Sequence, residues 1–141
     1  MATFRSSEPL RLGITGGPRT GKSTLAMQHE LPQFCTDPQP ALPAPLVEYL
    51  PVGLDWGAQS LYVAENYLTR PGPWVIEGVT LPRALRKWRE LHPGEPPPLD
   101  RLVVLTQPYE RLSPGQASMA KGCATVLAEL QDWLGDRLWN Y

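Results

Sequence analysis

The chain has 141 residues, of which 42% are hydrophobic, and its formal net charge is −1. This length suits a single domain over residues 1–141 that is large enough to bury a substantial core. The nearly neutral charge argues against a general nucleic-acid-binding surface.

Apolar runs and cysteines bear on the cellular compartment. No run approaches the roughly 18 apolar residues that span a membrane, and the N-terminus lacks a signal-peptide pattern. Cys35 and Cys123 have neither metal-ligand spacing nor the pattern of a disulfide framework. We therefore expect a cytoplasmic protein with no membrane partner.

The first predicted strand leads into a glycine-rich loop. Residues 10–15 alternate apolar and other residues, and residues 23–31 have the pattern of a short helix that Pro32 ends. Between them, residues 16–23 match the complete pattern G-x-x-x-x-G-K-S, and we call them the phosphate loop.

The residue types of the phosphate loop suit a triphosphate. Backbone N–H groups of such a loop can line a cradle for phosphate oxygens, and the following helix directs its positive dipole end at the anion. Lys22 can reach the β- and γ-phosphates, and the Ser23 hydroxyl can ligate Mg²⁺. We expect binding of ATP or GTP with Mg²⁺ through Gly16, Gly17, Pro18, Arg19, Thr20, Gly21, Lys22, Ser23 and Thr24.

Further strands and helices alternate along the chain. Residues 33–36 form a predicted strand that ends before Asp37, and residues 38–51 form a proline-rich loop. The later predictions are helices over 56–68, 81–91 and 114–134 and strands over 74–76 and 102–105. This alternation predicts an α/β fold with a parallel sheet, whose ligand lies at the carboxyl ends of the strands.

Two acidic residues directly follow predicted strands. Glu77 would lie near a Mg²⁺ ion bound at Ser23 and hold it directly or through water, or it is a solvated loop acid. Asp37 could orient an acceptor hydroxyl and take its proton, although its Thr-Asp-Pro setting is also ordinary turn chemistry.

Cations and a tryptophan complete the candidate set. Arg83 begins a predicted helix and is the stronger candidate for phosphate contact, while Arg86 shares roughly the same face. Arg111 and Lys121 lie where lids commonly carry positive charge, with ordinary surface charge as the alternative. Trp56 is either a core or interface residue or a stacking platform for a base or substrate.

On these residues the chain resembles the kinase-like branch of the P-loop NTPases. Residues 15–24 are similar to the loop of small nucleotide, nucleoside and metabolite kinases. Residues 73–83 resemble the adenylate-kinase stretch in which an acid and a glycine end a strand and a proline-arginine pair follows, here with glutamate and a longer spacing. Residues 77–85 and 112–122 look like small bacteriophage and prophage P-loop proteins described as ATP-binding or kinase-like.

The resemblance carries expectations about architecture. It implies a three-layer sandwich with a mainly parallel sheet in the order 2-3-1-4-5, in which residues 137–141 supply the fifth strand. The chain departs from well-studied kinases because it lacks an arginine-rich lid and a recognisable substrate domain, which the loop at 38–51 would replace. A phage origin would place the protein in the host cytoplasm.

The leading functional hypothesis is an ATP- and Mg²⁺-dependent phosphotransferase for a nucleoside, nucleotide or metabolite. Lys22, Asp37 and Arg83 would be catalytic, and Ser23 and Glu77 would hold Mg²⁺. One alternative is an NTP hydrolase that works as a switch. Another is a non-catalytic nucleotide-binding module that acts on a host protein.

Overall fold

The computed structural model describes residues 10–17, 20–29, 31–36, 46–108 and 110–140. Within these ranges the α helices are α1 (Lys22–Met27), α2 (Trp56–Asn66), α3 (Leu81–Leu91) and α4 (Pro114–Leu134). The strands are β1 (Arg11–Gly16), β2 (Gln33–Cys35), β3 (Val47–Tyr49), β4 (Trp74–Glu77), β5 (Arg101–Leu105) and β6 (Leu138–Asn140). A short 3₁₀ turn, Gly135–Arg137, joins α4 to β6.

The six described strands form one sheet in the order β3-β2-β4-β1-β5-β6. Every neighbouring pair is parallel, which confirms the α/β prediction. The five strands expected from the sequence keep their expected order. The sheet has one strand more, because Val47–Tyr49 pairs with β2 at an edge.

The helix after the phosphate loop is shorter than residues 23–31, the range that the sequence predicts. Beyond Met27, Gln28 N–H donates to the carbonyl of Leu25 and His29 N–H donates to that of Ala26. Such three-residue spacing tightens a last helical turn and satisfies carbonyl groups that would otherwise lack partners. The chain therefore leaves α1 early and reaches β2 by a short connection.

Helices pack on both faces of the sheet. Ala26 of α1 lies in a cluster with Leu12, Ile14, Val75 and Val103. The other face carries a larger cluster, which draws residues from α2, α3 and α4. Successive strand side chains alternate between the two clusters because a strand directs neighbouring residues to opposite faces.

Side-chain caps fix where the two helices that flank α3 begin. The Asp55 carboxylate accepts from the N–H of Ala58 at 2.8 Å, which caps α2. Ser113 and Gln116 form a reciprocal capping box at the start of α4. None of the helices in the described ranges combines the length and apolar character that a bilayer-spanning segment needs.

We predict that the core depends on the buried face of α3. Leu85→Ala should lower the free energy of unfolding by about 2–5 kcal/mol, since Leu85 is 0% exposed and its truncation leaves a cavity. Leu91→Ala, on the same helix but at a side chain that is 48% exposed, should change it by less than about 0.5 kcal/mol. Urea unfolding of both variants gives the comparison, and equal losses would contradict this assignment of the core.

Candidate functional site

Glycine is required where β1 ends and the phosphate loop begins. Gly16 has φ +150°, and a Cβ atom there would lie 2.3 Å from the carbonyl oxygen of Leu105 on β5. That oxygen belongs to the backbone, so it cannot move aside as a side chain could. Gly21, at the N-cap of α1, has φ +89°, a conformation that side chains rarely adopt.

Gly17 brings the phosphate loop against α4. A Cβ atom on Gly17 would lie 2.6 Å from the Cβ atom of Ala120, which is closer than packed carbon atoms approach. The missing side chain at one position and the small one at the other therefore permit this contact. As a result, the backbone of the loop lies directly on the N-terminal half of the longest described helix.

Lys22 is a buried cation at the start of α1. It is 6% exposed, and its Nζ donates to the carbonyl oxygen of Gly17 at 2.9 Å. Thr20 Oγ1 donates to the same oxygen at 2.9 Å. In the described ranges no carboxylate oxygen lies within ion-pair distance of Lys22, and its buried ammonium bonds a backbone carbonyl instead.

Ser23 and Glu77 meet beside this lysine. Ser23 Oγ donates to Glu77 Oε2 at 2.6 Å, although 54 positions separate the two residues in the sequence. Glu77 is 1% exposed and ends β4, where its backbone pairs with Ile14 of β1 and Cys35 of β2. The parallel sheet therefore delivers the carboxylate to the hydroxyl that follows the loop.

The Ser23–Glu77 pair fits a magnesium ion better than a metal held by protein side chains alone. The described ranges contain no cluster of three or more His, Cys, Asp or Glu residues that could hold a metal. Mg²⁺ usually takes one or two carboxylates, with phosphate oxygens and water as the other ligands. One hydroxyl and one carboxylate at the end of the phosphate loop match the protein part of that donor set.

The Arg83 side chain lies between α2 and α4. Its guanidinium carbon is 5.3 Å from the centroid of the Trp56 ring, and its Nη2 is 2.7 Å from where a Cβ of Gly122 would lie. Arg86 instead forms an exposed ion pair with Glu129 at 3.2 Å.

The remaining candidates fall into two groups. Arg111 and Lys121 are exposed, and no ion pair joins either to another described residue. Pro18, Arg19 and Asp37 lie outside the described residues.

A buried thiol beneath the phosphate loop was not expected from the sequence. Cys123 Sγ lies 3.8 Å from Thr15 Oγ1. The Thr15 hydroxyl donates a hydrogen bond to the carbonyl oxygen of Gly78 at 2.8 Å. Burial raises the pKa of the Cys123 thiol, and the charges of Lys22 and Arg83 offset part of that rise. The folded chain thus favours the protonated thiol, and this contribution to stability is lost as the pH rises above the ordinary pKa of cysteine.

We predict a direct steric coupling between positions 17 and 120. Gly17→Ala should lower the free energy of unfolding by about 1–3 kcal/mol, because the added methyl group overlaps the Ala120 side chain. Adding Ala120→Gly should recover part of that loss, with a coupling energy of about 1 kcal/mol or more in a double-mutant cycle.

The control for this cycle is Gly115→Ala, also near the start of α4, where an added Cβ meets nothing within 4 Å. It should not reduce stability by more than about 0.5 kcal/mol. Additive effects of the substitutions at 17 and 120, measured by urea unfolding, would show that the two positions do not touch.

Comparison with known proteins identifies no match to this chain. No family model matches the chain, and no curated protein and no solved structure matches it. The α/β fold with its six described parallel strands therefore rests on the strand pairing of this chain itself.

Proposed function

We propose that the chain is a nucleoside triphosphate- and Mg²⁺-dependent phosphotransferase of the P-loop kinase-like type, with ATP or GTP as donor. The observation that carries this proposal is the 2.6 Å hydrogen bond between Ser23 and Glu77, beside the buried Lys22 ammonium. A hydroxyl and a carboxylate that could hold a metal thus share the end of a glycine-rich loop with a buried cation that bonds a backbone carbonyl. Phosphoryl transfer needs this combination of groups.

Each residue of the site has a distinct role in this proposal. The N–H groups of the phosphate loop cradle the phosphates, and Lys22 donates to their oxygens through N–H groups that Gly17 does not occupy. Ser23 and Glu77 would hold Mg²⁺, which when bound offsets the negative charge of the phosphates. Glu77 Oε2 accepts a hydrogen bond from Ser23 Oγ at 2.6 Å, which keeps the two side chains that would hold the metal next to each other.

Arg83 and Asp37 would act on the acceptor side. Arg83 carries no ion pair with a described residue, so its planar fork remains able to bind an oxyanion. Asp37 comes shortly after β2 in the sequence and would orient the acceptor hydroxyl. A cation and an acid with these roles would favour transfer to a second substrate over transfer to water.

We predict that loss of either metal-binding side chain changes the magnesium dependence of turnover. Ser23→Ala and Glu77→Gln should each raise the Mg²⁺ concentration for half-maximal ADP release by about 10-fold or more, since each removes one ligand. Ser118→Ala and Glu65→Gln replace exposed residues of the same types and should leave this Mg²⁺ concentration unchanged.

Lys22→Met should lower turnover by about 100-fold, because it removes a donor to the phosphate charge.

The assay measures ADP release from Mg²⁺·ATP with a panel of nucleosides, nucleotides and small metabolites as acceptors. Release that depends on one acceptor supports the phosphotransferase. Release with water alone would replace it with the hydrolase switch. Tight ATP binding without turnover, unaffected by Glu77→Gln, would replace it with a non-catalytic nucleotide-binding module.

A further inference from the structure

A polar groove lies between α2 and α3, outside the phosphate loop. Its volume is about 310 Å³, which lies in the range of small-molecule sites. The side chains that matter here are Trp56 and Ser60 from α2 and Arg83, Arg86, Lys87 and Glu90 from α3. We call this cavity the α2–α3 groove.

Positive charge predominates along the α2–α3 groove. Three cations and one carboxylate line it, and Lys87 and Glu90 face each other at 3.9 Å. Arg86 is paired with Glu129 at 3.2 Å. Arg83 has no such partner in the described ranges, so its guanidinium offers paired N–H donors to an anion that enters the groove.

Trp56 gives the same groove a flat apolar surface. The residue is 47% exposed at the first position of α2, where its ring packs near the Arg83 guanidinium. Gly57 leaves space beside it, since a Cβ atom there would meet only the Asp55 Oδ1 atom, at 3.6 Å. Exposed aromatic rings of this kind stack on planar groups such as nucleobases.

Arg83 also marks the end of the α2–α3 groove that is nearer the phosphate loop. Its Nη2 lies 2.7 Å from where a Cβ atom of Gly122 would lie, and Gly122 directly precedes Cys123 on α4. Cys123 in turn contacts Thr15, which directly precedes the loop. An anion bound by Arg83 would therefore lie on the loop side of the groove, while Lys87 and Glu90 lie farther along α3.

We propose that the α2–α3 groove binds a small planar anion: a flat aromatic or heteroaromatic ring that carries a phosphate or carboxylate group. The ring stacks on Trp56, and the anionic group accepts hydrogen bonds from Arg83, the groove cation that forms no ion pair with another described residue. This proposal concerns binding alone and holds whether or not the phosphate loop transfers a phosphoryl group. A failure of the turnover assay therefore leaves it standing.

Calorimetric titration of the full chain at low salt tests which parts of the ligand matter. Adenosine monophosphate carries a ring and a phosphate, adenosine has the ring alone, and ribose phosphate has the anion alone. Naphthoate carries a ring with a carboxylate. At least one of the two ring-bearing anions should bind about 10-fold more tightly than adenosine and ribose phosphate, and the tighter one identifies the anionic group. Equal binding of all four probes, or of none, would overturn the proposal.

Variants locate the bound ligand. Arg83→Gln and Trp56→Leu should each weaken binding of the tighter probe by about 10-fold, because one removes charge-assisted hydrogen bonds and the other removes stacking. Arg89→Gln is the matched control: Arg89 lies on the same helix, 5.7 Å from the Trp133 ring centroid, and does not line the groove. Lys22→Met should likewise leave binding unchanged.

Two results would overturn this location. One is wild-type affinity in Arg83→Gln and Trp56→Leu, with circular dichroism showing that both variants are folded. The other is loss of binding in Lys22→Met, which would assign the probe to the phosphate loop.

Discussion

The pairing of β1 with both β4 and β5 is the constraint on which the rest of the molecule depends. Its register sets Ile14 beside Glu77 on one side and Gly16 beside Leu105 on the other. Parallel pairing brings the carboxyl ends of all three strands to one edge of the sheet. The acid, the loop and the close backbone contact at Gly16 are therefore consequences of a single pattern of backbone hydrogen bonds.

Charged side chains on the surface and in the phosphate loop have different kinds of hydrogen-bond partner. Arg11 pairs with Asp100 and Arg70 with Glu48, each at 3.2 Å and partly exposed, where such pairs contribute little to stability. Lys22 is buried and bonds a backbone carbonyl instead. Burying an ammonium without a carboxylate costs free energy, and a bound polyanion would offset that cost. The local arrangement therefore suits ligand binding better than it suits the stability of the free chain.

Local patterns in the sequence were sufficient to predict most of the helices and strands and the position of Glu77 at the end of a buried strand. The phosphate loop follows from its residue types, and Glu77 follows from an apolar strand that ends in an acid. The edge strand β3 was missed because three residues between prolines are too few to show a periodicity. The contacts of Cys123 with Thr15 and of Arg83 with Trp56 depend on how distant segments pack, which no local pattern records.

The contact between Gly17 and Ala120 also constrains how this chain can vary. The two positions share one small volume, so a larger side chain at either requires the other backbone to move away. In related sequences we therefore expect small residues at both positions 17 and 120. A larger side chain at one position should be accompanied by a compensating change at the other. The residue at position 120 on α4 should therefore vary together with the phosphate loop, although the two lie far apart in the sequence.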